Sequence, residues 1–304
     1  MRERLTELGY LAAWRGVRLL PESAAAALGN RFADRAVKKD GRSVRQLRKN
    51  LARVVGAEPD EDLVRRAMRS YARYWLEAFR LPSMSTEQLR RKFEMNGYEP
   101  VHERAKQGLG SIVALPHSGN WDFAGAWVGS VAGDSLTTVA ERLKPEGVYR
   151  RFLAYRQALG MNIIPTSGGD RNPQAALGEA LAEGHVVALV ADRDLGRSGT
   201  PVEFFGEATT FPTGPALLAI RNRVELFTAN IHYEADRAVC RITGPVDTGT
   251  GSLRERIAIT TQRMADSFEG GIRAHPDDWH MLQRFWTADF GPSAAALAAD
   301  AKES

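Results

Sequence analysis

Ser111-Ile-Val-Ala-Leu-Pro-His-Ser-Gly-Asn-Trp-Asp122 carries a short apolar run into a turn, and the helix-like segment Phe123 to Val131 follows at once. A histidine and an aspartate lie five residues apart in this stretch. On a regular helix that separation puts two side chains roughly 140° apart, so they would not meet. His117 and Asp122 come together only if the histidine sits on the loop leaving a strand and the aspartate in the first helical turn. Gly119 and Asn120 are residue types that permit such a turn. A carboxylate that accepts from one imidazole nitrogen fixes the tautomer and leaves the other nitrogen free to take a proton.

The same texture continues from there to the C-terminus. Short β-rich runs at 111–115, 136–140, 161–164, 186–190, 225–232 and 238–243 alternate with helical patterns near 122–131, 146–159, 173–183, 214–221 and 253–273. Such alternation predicts an α/β fold, a central mainly parallel sheet flanked by helices. In sheets of this kind ligands bind beyond the carboxyl ends of the strands. His117 follows the first run, Glu141 and Arg142 the second, Thr166 to Gly169 the third, and Asp192, Arg193 and Asp194 the fourth. Taken alone, His117 is as compatible with a loop histidine bonded to Asp122 as with a base. Asp122 alone reads as a first-turn helix residue, Asp192 or Asp194 as a cap after its strand, and Arg156 and Arg193 as surface ion-pair residues. The convergence of four strand ends is what favours a polar site.

Residues 1–110 read as an N-terminal helical extension, and residues 111–304 as the α/β core continuous with it. The extension holds 23 Lys and Arg against 14 Asp and Glu, and the remainder 18 against 23. A basic third of this kind calls for an anionic partner. Residues 1–22 carry Leu5, Leu8, Leu11 and Leu19 near helical spacing, with Tyr10, Trp14 and several arginines among them, as an interfacial membrane helix would. Packing on its own domain is the competing reading of that helix. Residues 38–56 and 60–81 are further helices, the first strongly basic. No helix-turn-helix, zinc finger or RNP-like strand accompanies them, so no nucleic-acid partner is expected. The Ala-rich tail 294–301 reads as a frayed end.

No apolar run reaches 18 residues and no signal-peptide core follows Met1. The lone Cys240 lies inside a probable strand and reads as a small core residue; it fits a reducing, cytoplasmic setting. No metal is expected, because His275 and His280 lack further ligands at suitable spacing. There is no Walker A loop and no Gly-x-Ser-x-Gly elbow; Gly196-Arg-Ser-Gly-Thr200 fails at its last position. A histidine base without an activated nucleophile favours direct transfer: a substrate hydroxyl gives up its proton and attacks an already activated donor such as a thioester.

His117 to Asp122 resembles the H-x4-D motif of the lysophospholipid acyltransferase superfamily, and more narrowly the bacterial lipid A acyltransferase branch. The blocks Thr137 to Pro145, Tyr149 to Phe152, Asp192 to Leu195, Phe204 to Glu207, Gly214 to Ala216 and Asp278 to Gln283 are most similar to its actinobacterial phosphatidylinositol mannoside acyltransferases. Residues 50–56 and 71–75 extend the resemblance through the N-terminal helices. It implies transfer of a palmitoyl-like group from acyl-CoA, a co-substrate and not a cofactor, to O-6 of a mannose of phosphatidylinositol mannosides. It also implies a peripheral enzyme on the cytoplasmic face of the plasma membrane. In its terms His117 is the general base, Asp122 its motif partner, and Glu141, Arg156 and Arg193 line the polar acceptor cavity. A glutamate forms a dyad with the histidine in the nearest relatives, and this chain has Asp192 there. One methylene fewer predicts a contact made through water or a shifted backbone. For the acyl groove, the helix 123–131 is expected to supply Phe123, Ala126 and Trp127.

Overall fold

The structure, a computed structural model, describes residues 16–140, 146–166, 172–194 and 199–290. Glu141, the segment 167–169, residues 1–15 and the Ala-rich tail lie outside them.

Three helices open the described chain: α1 (Glu22–Lys39), α2 (Arg42–Val55) and α3 (Glu61–Arg80). In α2 the apolar positions Val44, Leu47, Leu51 and Val54 recur at helical spacing and are buried, while the arginines and lysines take the other faces. The Asp60 side chain accepts from the Leu63 N–H at 2.7 Å and starts α3, with Glu61 and Asp62 in the positive first turn.

The sheet begins earlier than the apolar pattern indicates. After α4 (Thr86–Lys92) comes β1 (Phe93–Asn96), then α5 (Glu99–Lys106) and β2 (Ser111–Leu115). The alternation that follows is α6 (Trp121–Trp127, continued by a π turn to Ala132), β3 (Leu136–Ala140), α7 (Glu146–Ala158), β4 (Met161–Pro165), α8 (Pro173–Ala182) and β5 (Val186–Val190). A hairpin of β6 (Thr200–Phe204) and β7 (Glu207–Phe211) stands apart from the main sheet. The chain then closes with α9 (Gly214–Asn222), β8 (Glu225–Tyr233), β9 (Ala238–Thr243) and α10 (Leu253–Ala274). The seven strands stand in the order β1-β9-β8-β2-β5-β3-β4, parallel except where β9 meets β8. The expected parallel α/β sheet is therefore found.

β2 is buried along its whole length because both its faces are covered. Ile112 and Ala114 join a core with Leu177 of α8, Leu218 of α9 and Phe268 of α10. Val113 and Leu115 face the opposite core, which holds Phe123 of α6 and Tyr155 of α7. Cys240 of β9 is buried in that second core, where burial pushes its thiol up to about 12 and keeps it protonated.

Candidate active site

β2 and β5 are neighbours in the sheet, with Leu115 opposite Val190. His117 and Asp192 each lie two residues beyond that pair, so strand spacing alone brings them together, about 4.8 Å apart in backbone terms. The His117 Nδ1 lies 2.5 Å from Asp192 Oδ1. The His117 backbone N–H donates to Oδ2 at 3.0 Å, and the Trp279 indole N–H donates to the same oxygen at 2.9 Å. Asp192 is 0% exposed. Burial pushes its carboxyl up, but the His117 charge and these three donors outweigh burial and hold it below the usual carboxylate value. The contact is direct. The shorter aspartate reaches the ring because one carboxylate also grips the backbone of the same histidine. His117 keeps 29% of its side chain exposed, so its Nε2 edge stays reachable.

The expected meeting of His117 and Asp122 does not occur. Their placement on loop and first helical turn is as read from the sequence, but Asp122 turns toward the N-terminal helices. The Tyr74 hydroxyl donates to its Oδ2 at 3.0 Å and Arg156 Nε donates to its Oδ1 at 2.8 Å. Burial opposes the Arg156 charge, yet the Asp122 carboxylate more than compensates and the guanidinium stays protonated. Asp122 thus ties α6 to α3 and α7. Replacing it with alanine leaves Arg156 without its partner and should cost about 3 kcal/mol. That is the low end for a buried pair, because 18% of the Arg156 side chain is exposed. Denaturant unfolding measures this, and a cost under about 0.5 kcal/mol, the range of neutral surface changes, contradicts it.

The loop between β2 and α6 is pinned by the C-terminal segment. Gly119 donates to the Asp278 carbonyl at 2.9 Å, and the His280 N–H donates to the His117 carbonyl at 2.8 Å. Gly119 has φ +57, and a Cβ there would lie 2.8 Å from the Ile231 carbonyl, so only glycine fits. Asn120 caps α6 by accepting from the Phe123 N–H at 3.0 Å. His280 packs beside Trp121 and Tyr74, and burial, with the His117 charge, pushes its imidazole down to about 3.

Over this loop and one face of the sheet, α3, α6 and α7 enclose a cavity of about 500 Å³. Its floor is apolar, with Val113 and Leu115 of β2, Val186 and Val190 of β5, and Ile231 of β8. His117, Asp122, Arg156 and Arg193 all line it. The helix expected to serve an apolar groove does so, but through Trp121, Ala124, Gly125 and Val128. Phe123 and Ala126 turn into the core and Trp127 packs on Tyr98. The helical period places 121, 124, 125 and 128 on one face, and 123, 126 and 127 on the adjoining one.

Sequence reasoning missed Trp279 and Tyr74 as donors to the two aspartates. Trp279 lies 87 positions from Asp192, a separation that leaves no spacing signal, and Tyr74 sits in an aromatic run that reads as core. The block Asp278 to Gln283 entered only through its resemblance to the acyltransferase branch.

The site is thus a histidine held by a buried carboxylate at the rim of a deep apolar cavity. Residues 2–288 match the family described as bacterial lipid A biosynthesis acyltransferase, and the chain belongs to that family and is an acyltransferase. It is 44% identical over 296 residues to a phosphatidylinositol mannoside acyltransferase of Mycolicibacterium smegmatis, covering 96% of this chain and 95% of that one. A protein of the same name from Mycobacterium tuberculosis is 43% identical, over 96% of this chain and 92% of its own.

Proposed function

We propose that the protein transfers a palmitoyl-like group from acyl-CoA to O-6 of a mannose of phosphatidylinositol mannosides. The observation that carries the reading is the His117–Asp192 pair at the edge of the apolar cavity. With Nδ1 engaged by Asp192, His117 takes the proton of the acceptor hydroxyl at Nε2. The hydroxyl oxygen attacks the thioester carbonyl, the C–S bond breaks, and the imidazolium returns the proton to the departing thiolate. No serine relay is needed, because a thiolate leaves readily. The acyl chain lies in the apolar cavity while Arg156 and Arg193, which line it, face the acceptor; a role for Glu141 rests on the family resemblance alone. Arginine suits a phosphoinositol because its fork donates bidentately to phosphate.

Purified protein given palmitoyl-CoA and a mixed acceptor extract should yield acylated phosphatidylinositol mannoside by mass spectrometry. Acylation of a lysophospholipid or a lipid A precursor alone sinks the acceptor assignment, and use of acyl-carrier protein alone sinks the donor.

In this reading the enzyme sits peripherally on the cytoplasmic face of the plasma membrane. No helix of the described residues is long and apolar enough to cross a membrane. The outward face of α1 carries Leu28 and Phe32, 42% and 62% exposed, beside the exposed Arg31 and Arg35. Apolar and basic side chains on one helix face suit an anionic lipid surface. Deleting residues 1–22, or changing Phe32 to serine, should weaken co-sedimentation with anionic vesicles severalfold and barely alter the weak binding to neutral ones. Equal retention on both vesicle types refutes the membrane contact.

A further inference from the structure

A second cavity, of about 360 Å³, adjoins the first, and Arg193 and Gln283 line both. Its lining is mixed, with Leu282, Phe285 and Phe290 in it, but it gathers several basic side chains. Arg42 enters it from the first turn of α2, Arg193 from the end of β5, and Arg284 from the C-terminal segment. Among the described residues none of these three guanidiniums has a hydrogen-bond or ion-pair partner. Nearby arginines are otherwise engaged: Arg48 pairs with Glu61, and Arg53 with Glu207 and Asp289. Three unpaired guanidiniums facing one polar hollow repel each other unless an anion joins them. The single carboxylate in the wall, Asp194, is occupied by the Gly199 N–H at 2.7 Å and the Thr210 hydroxyl at 3.1 Å. Ser43, in the first turn of the same helix, and Gln46, one turn on, also line the hollow. Its N-cap is Gly41, so no side chain caps that turn and no acidic residue neutralises it.

We infer that the second cavity binds a phosphate ester carried by a substrate, held between Arg42, Arg193 and Arg284. The guanidinium fork matches phosphate oxygens bidentately, and the uncapped helix start adds to the positive potential. Along the molecule the order is apolar cavity, His117–Asp192 pair, Arg193, anion cavity. A ligand with a hydrocarbon end, a reacting centre and a phosphorylated end fits that order. The identity of the carrier rests on the acyl-transfer reading, in which both substrates bear phosphate: CoA on the donor side and the phosphoinositol on the acceptor side. The cavity itself does not rest on that reading.

The test is equilibrium binding to the full-length protein of three probes: CoA, pantetheine (which lacks the phosphates) and glycerophosphoinositol. Arg42→Ala and Arg284→Ala change exposed side chains, and their circular dichroism and melting should match wild type. Each should weaken one phosphorylated probe about tenfold, the scale of one charge-assisted contact, and leave pantetheine unaffected. Loss confined to CoA identifies the donor as the carrier, and loss confined to glycerophosphoinositol identifies the acceptor. Raised salt should weaken the same probe. Unchanged affinity for both phosphorylated probes in the double variant, or no binding of either to wild type at millimolar concentration, overturns the inference. Arginine-dependent binding without acylation of phosphatidylinositol mannoside leaves the cavity standing and the functional reading fallen. Acylation with unchanged KM for both substrates in the double variant leaves the functional reading standing and the anion cavity fallen.

Discussion

His117→Ala should lower the turnover of acyl transfer roughly 10³–10⁴-fold, at the upper end of what a positioned general base contributes. The loss should fall on kcat and leave donor binding nearly unchanged. The walls of the 500 Å³ cavity are built by α3, α6, α7 and the sheet, and the substitution removes none of them. It does leave the Asp192 charge without its largest compensating neighbour. Asp192 keeps the backbone N–H of residue 117 and the Trp279 indole as donors, so the fold should survive. Added imidazole fits the space vacated by the ring and should restore part of the rate, because the missing element is a base and not a binding contact. A variant that retains full turnover removes His117 from the chemistry; one that loses donor affinity and turnover equally makes it a binding residue.

Asp192→Asn should cost about 10²–10⁴ in kcat although it changes one atom. The carboxylate accepts three donors on two oxygens, with His117 Nδ1 on Oδ1 and the His117 N–H and Trp279 indole on Oδ2. An amide has one acceptor oxygen and one NH2 group. If the oxygen takes the Oδ2 position, two bonds survive but the NH2 group faces Nδ1. The ring must then carry its proton on Nε2, where the proposed mechanism needs a lone pair for the acceptor hydroxyl. If the amide turns over, the ring keeps its tautomer but two buried donors face an NH2 group. Either arrangement fails. The same carboxylate gives the wild type a pH signature. Its folded pKa lies below the 3.8 of an ordinary aspartate, so the folded state binds fewer protons there than the unfolded one. Its contribution to stability is present above about 3.8 and disappears as pH falls through the folded value. Urea titrations across pH 2–5 should show wild type losing more stability on acidification than Asp192→Asn, and parallel curves would contradict the assignment.

Much of the fold was legible because its signals are local. Six of the seven strands of the main sheet carry apolar runs bounded by helical patterns, and β2 to β5 lie where those runs stand. β1 was not legible. Phe93-Glu-Met-Asn96 is a short edge strand with one buried position, and its pairing with β9 spans nearly half of the chain. The hairpin β6–β7 was missed because its alternating, polar strands lack a continuous apolar run. At the site, strand ends placed His117 and Asp192 on one edge of one sheet, but the sequence could not order the strands. Only the adjacency of β2 and β5 decides that Asp192, and not Asp122, reaches the imidazole. The motif spacing drew attention to Asp122, whose partners Tyr74 and Arg156 lie 48 and 34 positions away.

That adjacency also sets which parts of the protein move. β2 is bonded on both sides, to β8 and β5, and β5 to β2 and β3. Amides in such central strands exchange with solvent only when the whole fold opens. The dyad therefore hangs from the slowest-exchanging part of the molecule. The cover over the cavity is of a different kind: α6 is seven residues long and runs on into a π turn, and α7 packs at the sheet margin against β4. In the proposed reading, local openings that admit and release the acyl chain fall to this cover. In hydrogen-exchange measurements, amides of α6 and α7 should fluctuate on a faster clock than those of the strands that hold His117 and Asp192.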